Sequence, residues 1–497
     1  MNTLETAPRR TGRDESRPRL ESSRILARLT LLEVRRSPMP FMIPLVALLF
    51  WFDALRTGQD LPALWTQRAA ILPDHVLPDL GPIAAGMAAW VAGREHRRGM
   101  SDLAESTARP RWLRELAAWA GAQAWTLLAY AACVAVVYFL AARVVTWGGP
   151  PIWPIVVTGL GVALFCSAGF VAGALFPGRY TPPLAAIGTL FVSVFILQSA
   201  VNSGAGWTLL SPNNRVPPLD WGVFHPIPQG LSIVQTLFLL GAIAVLLGVL
   251  GVVGSVRGAE LRRTASSVLL LGVVACATGF ALATTATTGK YGYIVPAFGD
   301  ASQQTPYTYT YTPVCTDEAA PVCIHPAFST DLDQASAVLG PVLDEVAGLP
   351  GAPTRAEQID ADDLPGDSSS PTSGLSEYSV GSVLDTSAPG GPVLEYGFDD
   401  RGVFTQKPTA AYLRSQAAQA VFGYLVAPDG RADQAQQAVE AGLSLAAGAT
   451  APDDDASATV NAAAQSFAAL PATQRHAWLL AHLAALRGGQ INLKELP

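Results

Sequence analysis

The stretch from residue 81 to residue 115 decides the fold. Its first part, GPIAAGMAAWVAG (residues 81–93), is apolar, and it is followed by REHRRG (94–99) and, after nine more residues, by RPRWLR (109–114). Six arginines lie between positions 94 and 114. Short loops with such an excess of arginine stay on the cytoplasmic side of a membrane. The stretch therefore predicts a membrane span that ends in a cytoplasmic loop. Within that loop the spacing of Met100, Leu103 and Ala104 predicts one face of a short helix, with Asp102 and Glu105 turned away from that face.

The composition of the whole chain agrees with a membrane protein. Of its 497 residues, 50% are hydrophobic and only 14% are charged, and the mean hydropathy is +0.30. A soluble protein carries about a quarter charged residues. A span needs about 20 apolar residues, and seven segments meet this requirement. They are residues 39–55, 75–93, 116–144, 152–176, 182–201, 230–256 and 266–288.

The distribution of charge predicts the topology. The longer loops after the second and sixth predicted spans hold most of the loop arginines, which places the N-terminus in the cytoplasm. An odd number of spans then places the C-terminal part outside. We expect a cytoplasmic tail and interfacial helix in residues 1–37, seven helices in 38–288 and an extracytoplasmic domain in 289–497. From residue 290 onward, 24 acidic residues stand against 9 basic ones, a net charge of -15.

Residues 1–20 are rich in Arg, Pro and Glu and predict a disordered tail. A helix is expected from Ser22 or Ser23, as N-cap, to Arg36. Its leucines share one face, so it lies either in the inner membrane interface or against the protein.

The C-terminal domain is expected to be mainly α, of the α+β class. Tyr307 to Thr312 alternate as a strand or an extended linker, and short strands are predicted at 377–383 and 392–398. A helix capped by Ser329 or Thr330 is expected over 331–346, where Pro341 would bend it or end it early. Four alanine-rich helices follow, at residues 410–425, 431–447, 457–470 and 473–487, the last of them ended by Gly488.

The cysteines predict one disulfide. Cys315 and Cys323 lie in a polar segment and would pair if that segment is outside the reducing cytoplasm. A metal site is disfavoured, because His325 is the only further ligand close by and a tetrahedral site needs four ligands. No metal and no cofactor is therefore expected.

Small residues are expected to bring helices together. Gly169 and Gly173 in the fourth predicted span, and Gly248, Gly251 and Gly254 in the sixth, recur at helical spacing.

The sequence offers neither an ion relay nor an ATPase of its own. No Asp, Glu, Lys or His lies in the middle of any predicted span, whereas ion-coupled transporters normally keep such groups there. The segment Gly289-Lys290-Tyr291 lacks the other residues of a phosphate-binding loop. No catalytic constellation was found, so the chain is not expected to be an enzyme, and an energy source would be a separate chain.

The loop after the second span resembles a known family. Glu95, Gly99, Leu103 and Pro110 follow one another as in the cytoplasmic loop of ABC-2-type transporter permeases. The resemblance covers about residues 20–265. It departs from the family in having a seventh span and a large outer domain, since the family usually has six spans and a C-terminus inside.

The resemblance implies the membrane subunit of an ATP-driven exporter. Two such subunits, identical or paired with a related permease, would dock on a cytoplasmic ABC ATPase through residues 94–114, with Glu95, Gly99, Leu103 and Pro110 as docking residues. Membrane lipid is the other expected partner, and nucleic acid is not expected to be one. The alternative is a membrane-anchored extracytoplasmic binding or sensor protein, whose spans only hold its outer domain.

Overall fold

The computed structural model describes residues 17–59, 61, 63–99, 111–196, 210–212, 223, 229–254, 259–284, 287–288, 294–295, 311–359, 380–398, 407–449 and 457–497. The chain forms two compact units, one that ends at Thr308 and one made mainly of Tyr309–Pro497. The first is a bundle of helices, and the second combines helices with a sheet. A mainly helical chain with a small sheet domain is therefore confirmed.

The first unit contains eleven α-helices among its described residues. They are α1 (Arg17–Arg36), α2 (Ile43–Phe50), α3 (Arg56–Gln59), α4 (Trp65–Ala69), α5 (Leu77–Ala92), α6 (Arg94–Arg97), α7 (Arg111–Ala141), α8 (Trp153–Leu175), α9 (Thr181–Phe191), α10 (Gln229–Gly254) and α11 (Ala259–Thr284). A 3-10 turn at Met39–Met42 precedes α2, and π-helical turns lie at Trp51–Leu55, Leu72–Val76 and Val192–Ile196. A small hairpin pairs β1 (Thr287–Thr288) with β2 (Ile294–Val295).

Four helices of the described chain have the length and composition of membrane spans. They are Arg111–Ala141, Trp153–Leu175, Gly230–Gly254 and Leu261–Thr284. A fifth span results if Ala27–Arg36 and Met39–Leu55, which are bent by 46°, are taken together. The other two predicted spans are helical but shorter, because α5 has 16 residues and the described part of the fifth predicted span ends at Ile196.

Small residues bring the long helices of this unit together, as predicted from their spacing. A side chain at Gly169 or Gly173 of α8 would overlap the backbone of Ala85 or Ala89 in α5. The same holds for α10, where a Cβ at Gly248 would lie 2.6 Å from the Cα of Leu269 in α11. Backbones that approach so closely gain dispersion contacts that larger residues would prevent.

The start of the chain differs from the prediction. Helix α1 begins at Arg17, so Ser22 and Ser23 do not cap it, and residues 17–20 are helical rather than a disordered tail. Residues 1–16, the last five residues of the fifth predicted span (197–201) and Tyr307–Thr310 of the predicted strand lie outside the described residues.

The second unit contains a mixed five-stranded sheet of order β3-β4-β5-β7-β6. Its strands are β3 (Val314–Cys315), β4 (Val322–Ile324), β5 (Arg355–Gln358), β6 (Val380–Asp385) and β7 (Val393–Phe398). Strands β4, β5 and β7 are parallel, whereas the outer strands β3 and β6 are antiparallel to their neighbours.

Five helices complete the second unit. They are α12 (Leu332–Val346), α13 (Lys407–Val426), α14 (Gln434–Ala446), α15 (Ala458–Ala469) and α16 (Ala472–Arg487). Helix α12 connects the parallel strands β4 and β5, since a parallel pair needs a crossover. The four C-terminal helices lie within three residues of their predicted bounds, and α16 ends at Arg487, directly before Gly488.

The predicted N-cap of α12 was wrong, and so was an early end of the helix at Pro341. The residues before it form a 3-10 turn, Pro326–Asp331, so the N-cap is Asp331 instead of Ser329 or Thr330. Pro341 lies inside the helix without ending it, and the helix runs on to Val346. Three strands, β3, β4 and β5, were missed, because two to four residues are too few to show an alternating pattern.

The disulfide between Cys315 and Cys323 is confirmed. The two residues are directly opposite each other in the antiparallel pair of β3 and β4, with a Cα–Cα distance of 4.0 Å. The bridge therefore holds the edge strand β3, which has only two residues, on the sheet.

Candidate functional site

The candidate site begins where α5 ends. Gly93 separates α5 from the short helix α6, and Gly99 follows it in the left-handed region with φ +63°. The amide of Gly99 donates a hydrogen bond to the carbonyl of His96 at 3.0 Å. Glycine adopts this backbone conformation without steric cost, so Gly99 has a structural reason to occupy its position.

Glu95 connects α6 to the start of α7. Its carboxylate Oε2 lies 3.6 Å from Nη1 of Arg114, and the Glu95 side chain is about half exposed. Glu95, which the sequence predicts to contact another protein, thus also pairs with a residue of its own chain. The exposed part of the Glu95 side chain is available for a contact with another protein.

A second ion pair connects α6 to α1. Arg94 Nη2 donates to Glu33 Oε2 at 2.5 Å, and both side chains are largely buried. Sequence reasoning missed Glu33, although one signal was present. A carboxylate in the last turn of a helix is unfavourable against the helix dipole, which indicates that a cation compensates for it.

Helix α1 also packs directly on α7. A Cβ at Gly121 would lie 3.1 Å from the Cβ of Glu33, and Trp125 Nε1 donates to the carbonyl of Val34 at 2.8 Å. The end of α1 therefore lies against protein, which is the second of the two placements predicted for this helix.

The start of α7 touches a third helix. Trp112 is buried, and a Cβ at Gly251 of α10 would lie 2.7 Å from its Nε1. Glu115, which pairs with Arg111 at 2.7 Å, has its Oε2 only 3.2 Å from the Cβ position of Gly254. Helices α6 and α10 thus meet at the first turns of α7, and α1 packs further along the same helix at Gly121 and Trp125.

Arg97 and Arg98 have different environments. The Arg97 guanidinium lies 4.3 Å from the centre of the Trp90 ring and donates to the Trp90 carbonyl. Desolvation, with the neighbouring charge of Arg98 as a smaller cause, lowers the pKa of Arg97. Arginine nevertheless keeps its proton in proteins, so both side chains remain cationic, and Arg98 is exposed.

Leu103, Pro110 and the helix predicted from the spacing of Met100, Leu103 and Ala104 lie outside the described residues. Of the predicted docking residues, the structure therefore places Glu95 and Gly99. Over the described part of the chain, no group of three or more His, Cys, Asp or Glu side chains could hold a metal ion.

Ion pairs hold the described ends of the loop 94–114 in place. The more exposed pairs, Glu95 with Arg114 and Arg111 with Glu115, contribute only about 0–1 kcal/mol each, so they position α6 and α7 more than they stabilise them. Comparison with protein-family models, with curated proteins and with solved structures gives no match to this chain.

Proposed function

We propose that this chain is the membrane subunit of an ATP-driven exporter of the ABC-2 type. Residues 94–114 would rest on a separate ATPase and pass its movement to the membrane helices. One observation carries the proposal: the two ends of this loop are paired with each other through Glu95 and Arg114, and its first end is paired with α1 through Arg94 and Glu33. A displacement of the loop would therefore move α1, α5 and α7 together.

The proposal includes seven spans with the N-terminus inside. Helical segments at all seven predicted positions support this count, and the arginine excess in residues 94–114 supports the orientation. The second unit would then be extracytoplasmic. A disulfide between Cys315 and Cys323 agrees with that side, since thiols in the cytoplasm are kept reduced.

The predicted docking residues would have distinct roles. Glu95 would offer its exposed carboxylate to the ATPase, Gly99 would let the chain turn, and Leu103 would supply an apolar contact. Pro110 would end the loop before α7. Two copies, or one copy and a related permease, would hold two ATPase chains.

The second unit favours one alternative, a membrane-anchored binding or sensor protein. It has its own sheet, its own buried core and a disulfide, features that an independent binding domain needs. In that case the membrane helices would serve as an anchor and no ATPase would be required.

Purification of the full-length protein from its native membrane in several mild detergents distinguishes the two proposed functions. We expect an ATPase to accompany the wild type and to be lost with Leu103→Asp, because burying an unpaired charge at a contact costs several kcal/mol. Ser101→Asp is the matched control: it adds the same charge to the same loop, on the predicted face of Glu105, and should keep the ATPase.

A reporter fused after Gly99 checks that each variant still inserts with this loop inside, as the unchanged arginines require. If no ATPase accompanies the wild type in any detergent, the exporter must be given up in favour of the anchored binding protein. Equal loss of the ATPase with both aspartate variants would contradict the role of Leu103.

A further inference from the structure

Two π-helical turns face each other at the end of the bundle opposite the arginine-rich loop. They are Trp51–Leu55, at the end of the first predicted span, and Leu72–Val76, directly before α5. Such turns make up well under 1% of residues and occur frequently at functional sites. Each of them carries one member of a hydrogen-bonded pair, in which His75 Nδ1 lies 2.7 Å from Asp53 Oδ2.

A second carboxylate completes the cluster. Asp79 lies four residues after His75, on the same helix face, and it interacts electrostatically with both Asp53 and His75. Its Oδ2 is fully buried and has no hydrogen-bond partner among the described residues. An ionised carboxylate oxygen in such a place is costly.

The segments packed on α5 add few ionisable groups, and Arg56 of α3, three residues after Asp53, is exposed. From α7, Cys133 lies within electrostatic range of Asp79. Helix α8 contains no ionisable residue other than Cys166, and residues 39–50, which precede the first π turn, contain none. The ionisable neighbours of Asp79 therefore include one imidazole, one competing carboxylate and one thiol, and Asp74 lies in the π turn that precedes α5.

The cluster reaches from solvent to the interior. The side chain of Asp53 is 49% exposed and that of His75 is 21% exposed, whereas Asp79 Oδ2 is closed off. Protons from solution therefore have direct access to the outer members of the cluster. The described residues offer no group that fits a metal ion.

We propose that Asp53, His75 and Asp79 form a proton-binding site that joins the first two membrane-spanning segments. A proton from the solution on that side forms an O–H bond with the Asp79 carboxylate, and no group leaves, so the charge of the cluster rises by one. The neutral acid no longer leaves a charge on the buried oxygen. When the proton leaves, the buried charge favours entry of water between the two π turns.

This site is independent of the proposed ATPase contact. It lies at the other end of α5, whose 16 residues span about 24 Å. It would make the packing of the first two spans sensitive to pH, whatever drives the protein.

Infrared difference spectroscopy on the full-length protein in lipid nanodiscs tests the site. As the pH is lowered, the C=O stretch of a buried, protonated carboxylic acid should grow in the wild type and be lost in Asp79→Asn, which keeps the shape of the side chain. Asp74→Asn, in the neighbouring turn, is the matched control and should keep the band.

The two neighbours of Asp79 provide a second measurement that does not depend on the Asp79 variant folding. Asp53→Asn removes a like charge and His75→Gln removes a potential opposite charge, so the pH midpoint of the band should move in opposite directions. A wild type without a titrating band, a band that survives in Asp79→Asn, or a midpoint that neither neighbour moves would each overturn the proposal.

Discussion

The two units of the protein differ in how many large apolar side chains they leave exposed. In the first unit Phe41 is 82% exposed and Leu271 is 69% exposed, while alanines such as Ala85 and Ala89 are fully buried. In the second unit the largest fully buried side chains are aromatic: Tyr396, Phe422 and Phe467. The first unit thus leaves many large apolar side chains on its surface, although it also buries some, such as Phe170.

This difference in exposed apolar side chains follows from the solvent to which each unit is suited, lipid for the first unit and water for the second. Lipid chains are as apolar as leucine, so helices in a bilayer gain little by burying large side chains and associate through close backbone contacts instead. In water, burial of an aromatic side chain is a main source of stability. The exposed phenylalanines and leucines of the first unit agree with helices that contact lipid.

The second unit can also bury charge, provided that it is paired. Arg475 of α16 donates to Glu345 of α12 at 2.5 Å, and both side chains are largely buried. Arg475 also donates to the carbonyls of Ala468 and Leu470 at the end of α15. One guanidinium thus joins three helices.

The largest effect is expected from breaking this pair. Arg475→Met leaves the Glu345 carboxylate unpaired and should destabilise the second unit by about 3–5 kcal/mol. Pulse proteolysis of the full-length protein in urea measures this change. Arg355→Met, which breaks the more exposed pair with Glu357, should cost at most about 1 kcal/mol, and equal effects of the two variants would contradict the comparison.

A smaller effect is expected from filling a close contact in the first unit. Gly173→Leu would force α5 and α8 apart, and overpacking of this kind costs about 1–3 kcal/mol. Gly188→Leu in α9 is the control, since nothing lies within 4 Å of its Cβ position. The difference in stability between the two variants is measured as the fraction of protein that remains monodisperse after heating. If both variants survive equally, close backbone contact does not hold this unit together.

The smallest effect concerns pH and the second unit alone. His325 is only 3% exposed, and burial lowers its pKa to about 4. Its Nδ1 accepts a hydrogen bond from the amide of Ala327, which the protonated ring cannot do. Because the unfolded chain takes up a proton near pH 6.5 and the folded chain does not, stability falls as the pH falls towards 4.

Between pH 7 and pH 5.5 this loss should be about 1 kcal/mol, again measured by pulse proteolysis. His325→Gln should remove this pH dependence, whereas His482→Gln, at an exposed position of α16, should leave it. An unchanged pH dependence in His325→Gln would show that another group is responsible.

Local patterns in the sequence determined much of this protein. A run of apolar residues specified the fourth predicted span at 152–176, and the helix is Trp153–Leu175. Two cysteines separated by seven residues in a polar segment predicted the disulfide between Cys315 and Cys323. Glycines at helical spacing predicted the close contact of α8 with α5. These features depend on hydrophobicity and spacing within one segment, which the chain carries before it folds.

Tertiary structure alone decided which charges meet. Arg94 pairs with Glu33, 61 residues away along the chain, and Arg475 pairs with Glu345, 130 residues away. His75, in the second predicted span, contacts Asp53 in the first. The short strands β3, β4 and β5 likewise exist only because neighbouring strands pair with them. The free energy of such contacts comes from burial and from distances between segments, and no residue pattern within one segment encodes either.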